Sequence, residues 1–345
     1  MKVCLVLTHQ CNLGCGYCYA GEKFKSSMTL ETGMKSLKLA FSHPGPIEVS
    51  FFGGEPMIAF DAMARLTRVA ARWAQRQSRP LRFAVTTNAT ILKEKHLQFL
   101  KHYNFFVGIS VDGIEEVQDR QRPFVNGRGS GELVWRNLET ASQVLEDFRV
   151  LMVVRPDTLG SLPQAVEKMY RLGVSKISLL PETEADWSAS RGQLSEVFGQ
   201  LARVCYLSMV TDEPLLISPF VELHPSRRST GLYSGEESKG GCGFGSDEVA
   251  ISPAGNFYPC ARLVGPDRRA EVRIGDIEGG FDHQRIAALQ QQADDSMAQC
   301  GSGGCKCLAL MPGDTDFQLT NVALFTEITG EACLQAERAL ESVAA

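Results

Sequence analysis

Cys11, Cys15 and Cys18 stand in one short stretch, Thr8 to Ala20, separated by three residues and then by two. A strand-like apolar run, Lys2 to Leu7, leads straight into it. Three thiols this close cannot all reach a core and cannot easily pair with one another. They can close on a metal centre. The count of three is informative, because a four-iron cluster held by three cysteines keeps one iron open for a small molecule. A zinc site with His9 as fourth ligand is the competing reading, although structural zinc usually uses paired cysteine hooks and this stretch has one.

The 345 residues allow a large core and more than one domain. A net charge of −5 gives no electrostatic case for nucleic acid or an anionic membrane surface. No apolar run reaches the ~20 residues of a membrane span, and no cleavable signal pattern opens the chain. Eleven cysteines in such a chain point to metal or redox chemistry in a reducing, cytoplasmic setting, not to disulfides. Cys4 alternates with apolar neighbours and Cys205 falls in a helical apolar pattern, so both read as small core residues.

Along the chain, strands and helices alternate. Thr29 is placed to cap a helix through MKSLKLAF. Strands are expected at Ile47–Phe52, Leu81–Thr87, Phe105–Ser110, Phe148–Val154 and Lys176–Leu180. Helices are expected near Asp61–Gln77, Lys93–His102, Leu133–Leu145, Leu162–Leu172 and Ala189–Met209, with a polar loop over Gln118–Gly131. Six strand–helix units imply a parallel sheet wrapped by helices, and six fall short of the eight of a closed barrel. The expected fold is α/β, a partial (β/α)6 barrel over 1–211. In such sheets the chemistry gathers at the carboxyl ends of the strands. The unusual residues sit there: the cysteines, then Gly53-Gly54-Glu55-Pro56, Asn88 and Ser110. Residues 212–241, with three prolines and a polar glycine-rich run, read as a linker. The segment 242–345 reads as a small cysteine-rich α+β domain with a hairpin around Pro253-Ala254-Gly255 and a closing helix, 336–345.

The Cys-x3-Cys-x2-Cys spacing after an N-terminal strand, with Tyr17 before the third cysteine, resembles the radical S-adenosylmethionine (SAM) superfamily. That resemblance implies a 4Fe-4S cluster on Cys11, Cys15 and Cys18, SAM bound at its open iron, and Tyr17 near the adenine. Gly53-Gly54-Glu55-Pro56 resembles the family's GGEP motif, implying carbonyls, with Glu55 nearby, that meet the ammonium of SAM. Asn88 and Ser110 match strand-end segments that face SAM in the family. Arg122 or Arg128 could meet its carboxylate, and Arg155 is a further candidate. Each of these residues also reads as ordinary turn chemistry.

The tail resembles the SPASM or twitch extension, which carries auxiliary iron–sulfur clusters, on Cys242, Gly255 and Cys260, followed by Cys300, Cys305, Cys307 and Cys333. It departs from the family in having Cys-x4-Cys-x-Cys in its late block, and six tail cysteines cannot fill two four-cysteine clusters. One auxiliary cluster with spare thiols, two with open positions, or a zinc site remain as readings. Together the resemblances imply hydrogen abstraction from a residue of a ribosomally made peptide or protein, with a flavodoxin- or ferredoxin-type electron donor. Radical dehydrogenation of a small molecule and a non-enzymatic metal scaffold are the alternatives. Glu182, Glu184 and Asp186 are positional candidates for a base, and the acidic 181–186 loop with Arg227 and Arg228 could grip an extended chain. The chain opens on its first barrel strand, so leader recognition is expected to come from this body, to come from a partner, or to be unnecessary.

Overall fold

The computed structural model of the chain describes residues 1–224, 243–300 and 305–344. Seven strands pair in chain order and all in parallel: β1 (Lys2–Thr8), β2 (Ile47–Gly53), β3 (Leu81–Thr87), β4 (Phe105–Ser110), β5 (Phe148–Val154), β6 (Lys176–Pro181) and β7 (Leu216–Ser218). Helices make the crossovers: α1 (Leu30–Ser42), α2 (Phe60–Gln77), α3 (Glu94–His102), α4 (Glu115–Gln121) with α5 (Gly131–Val144), α6 (Leu162–Arg171) and α7 (Arg191–Ser208). α8 (Phe220–Leu223) is a single turn after β7. The tail begins with β8 (Glu248–Ile251), which pairs in parallel with the free edge of β1. β9 (Asn256–Tyr258), β10 (Gly275–Asp276) and β11 (Gly280–Phe281) continue outward as antiparallel strands. β11 and β7 stand at the two edges, so the sheet is open. α9 (His283–Cys300) and α10 (Thr315–Ala344) complete the chain.

The elements follow from local chemistry. β1 is buried on both faces from Val3 onward, which suits a central parallel strand with an unbroken apolar run. Thr29 caps α1 as expected, its hydroxyl accepting from the Thr32 amide at 3.0 Å. Gly33, Ser36, Leu37 and Ala40 then line the buried face at helical spacing.

Three expectations change. The span read as a linker from 212 contains β7 and α8, because Pro214 and Pro219 bracket Leu215, Leu216 and Ile217 without interrupting them. Residues 225–241 of that span, with Arg227 and Arg228, lie outside the described residues. The polar loop from Gln118 begins inside α4, whose buried Val117, Gln118 and Gln121 pack one face of a short, mostly charged helix. The closing helix starts at Thr315, not near 336; Asp314 caps it by accepting from the Phe317 amide at 3.0 Å.

α10 lies along α7 and fastens the tail to the barrel. Phe325 meets Phe198 edge-on at 4.7 Å and Trp187 at 6.1 Å, and Phe198 meets Phe220 at 5.2 Å. Phe198 is wholly buried and Phe325 is 5% exposed. Phe325→Ala should therefore cost about 3–5 kcal/mol in chemical denaturation, as expected for an emptied aromatic site. Leu334→Ala, at an exposed position of the same helix, should cost within about 0.5 kcal/mol. Equal effects would mean that this cluster does not hold the helix.

Candidate functional site

The chain leaves β1 at Thr8 and turns across the carboxyl end of the sheet, carrying Cys11, Cys15 and Cys18. Backbone bonds fix the loop against the segment after α4: Gly14 donates to Pro123 O at 2.8 Å and Val125 donates to Asn12 O at 3.0 Å. Leu13 is the loop's apolar anchor, 1% exposed. The three thiols are half-buried and form no disulfide. The Leu13 amide approaches Cys11 Sγ at 3.5 Å, Asn88 Nδ2 approaches it at 3.8 Å, and Lys23 Nζ donates to Cys18 Sγ at 2.9 Å. Burial pushes the Cys15 thiol up to about 11, with Arg122 opposing and Cys18 adding to the rise. Burial raises Cys11 as well. A metal centre reverses this balance, since coordination deprotonates a thiol outright.

The donor set fits a cluster: three sulfurs in one loop, with amide, side-chain amide and ammonium donors already directed at two of them. Among the described residues no three such side chains converge on a point for a single ion; thiolates on three corners of a cluster need not do so. His9, the alternative zinc ligand, stacks on Phe24 at 4.4 Å and is 5% exposed.

Gly53 and Gly54 serve the loop itself. The Gly54 amide donates to Thr8 O at 2.8 Å and the Glu55 amide to Gln10 O at 2.9 Å. A Cβ on Gly54 would stand 2.3 Å from Gln10 O, and one on Gly53, at φ +146°, 2.4 Å from Thr8 O. Glu55, expected near an ammonium group, is turned inward and wholly buried. Its carboxylate accepts from the Met57 amide at 3.0 Å, the Thr87 hydroxyl at 2.7 Å and the Asn88 amide at 2.7 Å. It ties the end of β2 to the end of β3. Burial pushes this carboxyl up to about 7, and the three donors hold it back. Asn88, tied through that amide, reaches Asn12 Oδ1 at 3.0 Å and so braces the cysteine loop.

Beside it lies a network that the sequence reading missed. Tyr17 donates its hydroxyl to Asp112, and Arg122 Nε donates to the same carboxylate at 2.8 Å. The Arg122 guanidinium also lies 5.3 Å from the Tyr17 ring centre. The second Asp112 oxygen accepts from the Val153 amide at 3.0 Å, linking β4 to β5. Arg122 is thus engaged through Nε by a protein carboxylate, while Arg128 lies exposed. Asp112 sits in Ser110-Val111-Asp112-Gly113, a stretch that reads equally well as a turn, so nothing local marks it. Ser110 closes β4, 8% exposed. Arg155 pairs with Glu182 at 3.3 Å and Asp157 at 3.2 Å. Of the acidic candidates, Glu182 alone is buried; Glu184 accepts from Gln318 at 3.3 Å and the exposed Asp186 accepts from the Ser188 amide at 2.9 Å.

A second thiol group forms in the tail. Cys260 follows β9, and Cys305 and Cys307 flank the start of a 3-10 turn, Lys306–Leu310. Cys305 and Cys307 lie 3.0 Å apart through their sulfurs. Cys307 hydrogen-bonds to Cys260, which lowers the Cys260 thiol and raises that of Cys307. Cys333, expected to join them, is instead 1% exposed in α10, with its thiol 3.9 Å from Phe220 O and beside Tyr206. Its helical position turns it into the α7–α10 packing. Cys4 and Cys205 are buried in the core, as read from their apolar neighbours. Cys242 and the side chain of Cys300 lie outside the described residues.

Glu55→Gln tests the inward-facing carboxylate. Whichever way the amide is oriented, its NH2 group meets a backbone N–H at Met57 or Asn88. Despite equal shape, the variant should lose about 1–3 kcal/mol in denaturation, the cost of an unsatisfied buried donor. Unchanged stability would return Glu55 to a ligand-facing role.

A radical SAM superfamily model matches residues 5–177. The chain is 29% identical over 174 residues to an uncharacterized protein of Methanocaldococcus jannaschii, covering 50% of this chain and 60% of that protein. It is 25% identical over 287 residues to the cysteine-type anaerobic sulfatase-maturating enzyme of Clostridium novyi, covering 78% of this chain and 74% of that enzyme. The solved structure of native anSMEcpe with bound AdoMet and Kp18Cys peptide superimposes with a TM-score of 0.75 over 98% of this chain and 99% of that one, at 18% identity, and so shares the fold. With half of its length matched by the family model and the open parallel sheet in place, the chain belongs to the radical SAM superfamily.

Proposed function

We propose that this radical SAM enzyme abstracts hydrogen from a residue of a ribosomally made peptide or protein. In this reading Cys11, Cys15 and Cys18 hold the SAM-binding 4Fe-4S cluster, and the tail cysteines hold an auxiliary one. The observation that carries the reading is a second group of thiols in the tail: Cys305 and Cys307 lie 3.0 Å apart and Cys307 bonds to Cys260, which follows β9 in the strands that extend the sheet from β1, the strand that bears the first cysteine loop. A second sulfur site beside the first fits an enzyme that handles electrons as well as a radical. The likeness to a sulfatase-maturating enzyme supports a peptide or protein substrate, and the shared fold is one that accommodates SAM and a peptide together.

When bound, the barrel cluster supplies one electron that cleaves SAM to methionine and a 5′-deoxyadenosyl radical. The chain's own residues do the positioning. Lys23 and Asn88 stabilise sulfur charge at Cys18 and Cys11. Tyr17, held by Asp112 and Arg122, offers its ring near the adenine. Gly53 and Gly54 let the end of β2 close on the loop without displacing it. Across the strand ends, Arg155 and Glu182 form a half-open ion pair suited to orienting a polar group of the substrate. The 181–186 loop is braced from the tail: Asn321 donates to Thr183 O at 2.8 Å and Ala185 O at 3.0 Å. A flavodoxin- or ferredoxin-type donor is the expected reductant. Among the described residues no helix is long and apolar enough to cross a membrane.

Anaerobically reconstituted protein should release 5′-deoxyadenosine under strong reductant, and the Cys11→Ala/Cys15→Ala/Cys18→Ala variant should release none while keeping tail iron. Co-expression with peptides encoded beside it, followed by mass spectrometry, should show a modified peptide. A metabolite that drives 5′-deoxyadenosine formation while every peptide stays unaltered would replace this substrate class with a small molecule. Full cleavage in the triple variant would remove the barrel assignment.

A further inference from the structure

The outer face of α2 is a row of four arginines. Arg65, Arg68, Arg72 and Arg76 are all exposed, and the row runs about 16 Å along the helix. Met63, Leu66 and Ala70 are buried on the opposite side. The one acidic residue of the helix is Asp61, a turn ahead of Arg65. Other surface helices pair their cations: Lys35 meets Glu31 on α1, Arg171 meets Glu167 on α6, and Arg191 of α7 meets Glu327 of α10. Among the described residues no carboxylate pairs with an arginine of α2. Arg68, Arg72 and Arg76 follow at four-residue intervals, so like charges repel along the helix. The row therefore opposes the helix that carries it. Arg68 alone has a fixed contact among the described residues, its guanidinium carbon 5.4 Å from the Phe99 ring centre on α3.

The face also lacks apolar anchors, since no large hydrophobic side chain of α2 is exposed. A long-lived interface depends on such anchors. A charged row without them suits a partner that is steered in by charge and soon leaves. Reductive cleavage of SAM calls for such a partner, because each event consumes one electron that a carrier must deliver. The whole chain, at a net charge of −5, repels an acidic carrier. The α2 row supplies local attraction and selects the face that the carrier meets. α2 also begins five residues after Glu55, whose amide bonds to Gln10 O beside Cys11. The row thus stands on the helix that leaves the support of the cysteine loop.

We propose that Arg65, Arg68, Arg72 and Arg76 form the docking face for a small acidic protein that donates single electrons to the barrel cluster. The inference rests on the reading of Cys11, Cys15 and Cys18 as ligands of that cluster. In the step itself the reduced carrier loses one electron and the cluster gains it. The probe is an acidic flavodoxin-type protein, used with the full-length reconstituted enzyme. Calorimetric titration reads its Kd, and 5′-deoxyadenosine formation driven by its reduced form reads its KM.

Arg65→Glu/Arg72→Glu/Arg76→Glu leaves Arg68 on Phe99 and should raise both constants by about tenfold or more. Its dithionite-driven rate should match the wild type, because dithionite needs no docking face. Arg65→Lys/Arg72→Lys/Arg76→Lys keeps the charge and should stay near the wild-type Kd. Rising ionic strength should weaken carrier binding to the wild type and change the reversed variant little. A reversed variant with the wild-type Kd overturns the proposal, as does wild-type binding that is absent at low salt or indifferent to salt. Anionic vesicles bound by the wild type and lost by the reversed variant, with the carrier Kd unmoved, would make the row a membrane contact instead. Wild-type protein that forms no 5′-deoxyadenosine even with dithionite would overturn the cluster reading, while the Kd series still decides the docking face.

Discussion

The Gly54 amide bonds to Thr8 and the Glu55 amide to Gln10, and this pair of bonds sets the course of the cysteine loop. Together with the bond from the His9 amide to Ser26 O at 3.0 Å, it directs the chain leaving β1 at the point where Cys11 is presented. The bonds are possible because neither Gly53 nor Gly54 has a Cβ, which at each position would overlap a carbonyl oxygen of β1 or its loop. Glu55 adds a buried carboxylate that spends its oxygens on Met57, Thr87 and Asn88. Burying that charge is unfavourable, and three donors offset the cost. The result is a rigid junction of β1, β2 and β3.

The opposite side of the loop is held electrostatically. Asp112 receives Tyr17 and Arg122 on one oxygen and the Val153 amide on the other. A buried pair of this kind contributes little net stability, but losing one partner strands the other. Its effect is on geometry: it fixes the Tyr17 ring and places a guanidinium whose field reaches Cys15. A like contact recurs at the tail, where the Arg262 guanidinium lies 5.3 Å from the ring centre of Tyr19. In both places an arginine lies over a tyrosine of the one cysteine loop.

The tail is bound to the barrel at two places far apart in sequence. β8 extends the sheet from β1, and α10 packs on α7 through Phe325 and Phe198. From α10, Asn321 and Gln318 reach back to the loop after β6. The sheet mouth therefore has walls from both ends of the chain, although β1 to β7 come from the first part.

The strand–helix order, the parallel sheet and the placing of Cys11, Cys15 and Cys18 at a strand end were legible in the sequence, because periodicity and short-range spacing encode them. So was the α1 cap at Thr29, a local hydrogen bond. The linker reading failed at β7 because two prolines outweighed three apolar residues that only β6 could reveal as a strand. Cys333 was grouped with the tail thiols by proximity in sequence, yet its helical phase turns it towards Phe220 and Tyr206. Glu55 looked like a ligand because its motif names it, while its partners Thr87 and Asn88 lie a strand away. Asp112 and Arg262 carried no local signal at all. Composition and spacing determined which residues could make a sulfur site and on which side of the sheet it would lie. Tertiary structure alone decided which charges face it, since a buried charge is settled by neighbours that the chain brings together from distant positions.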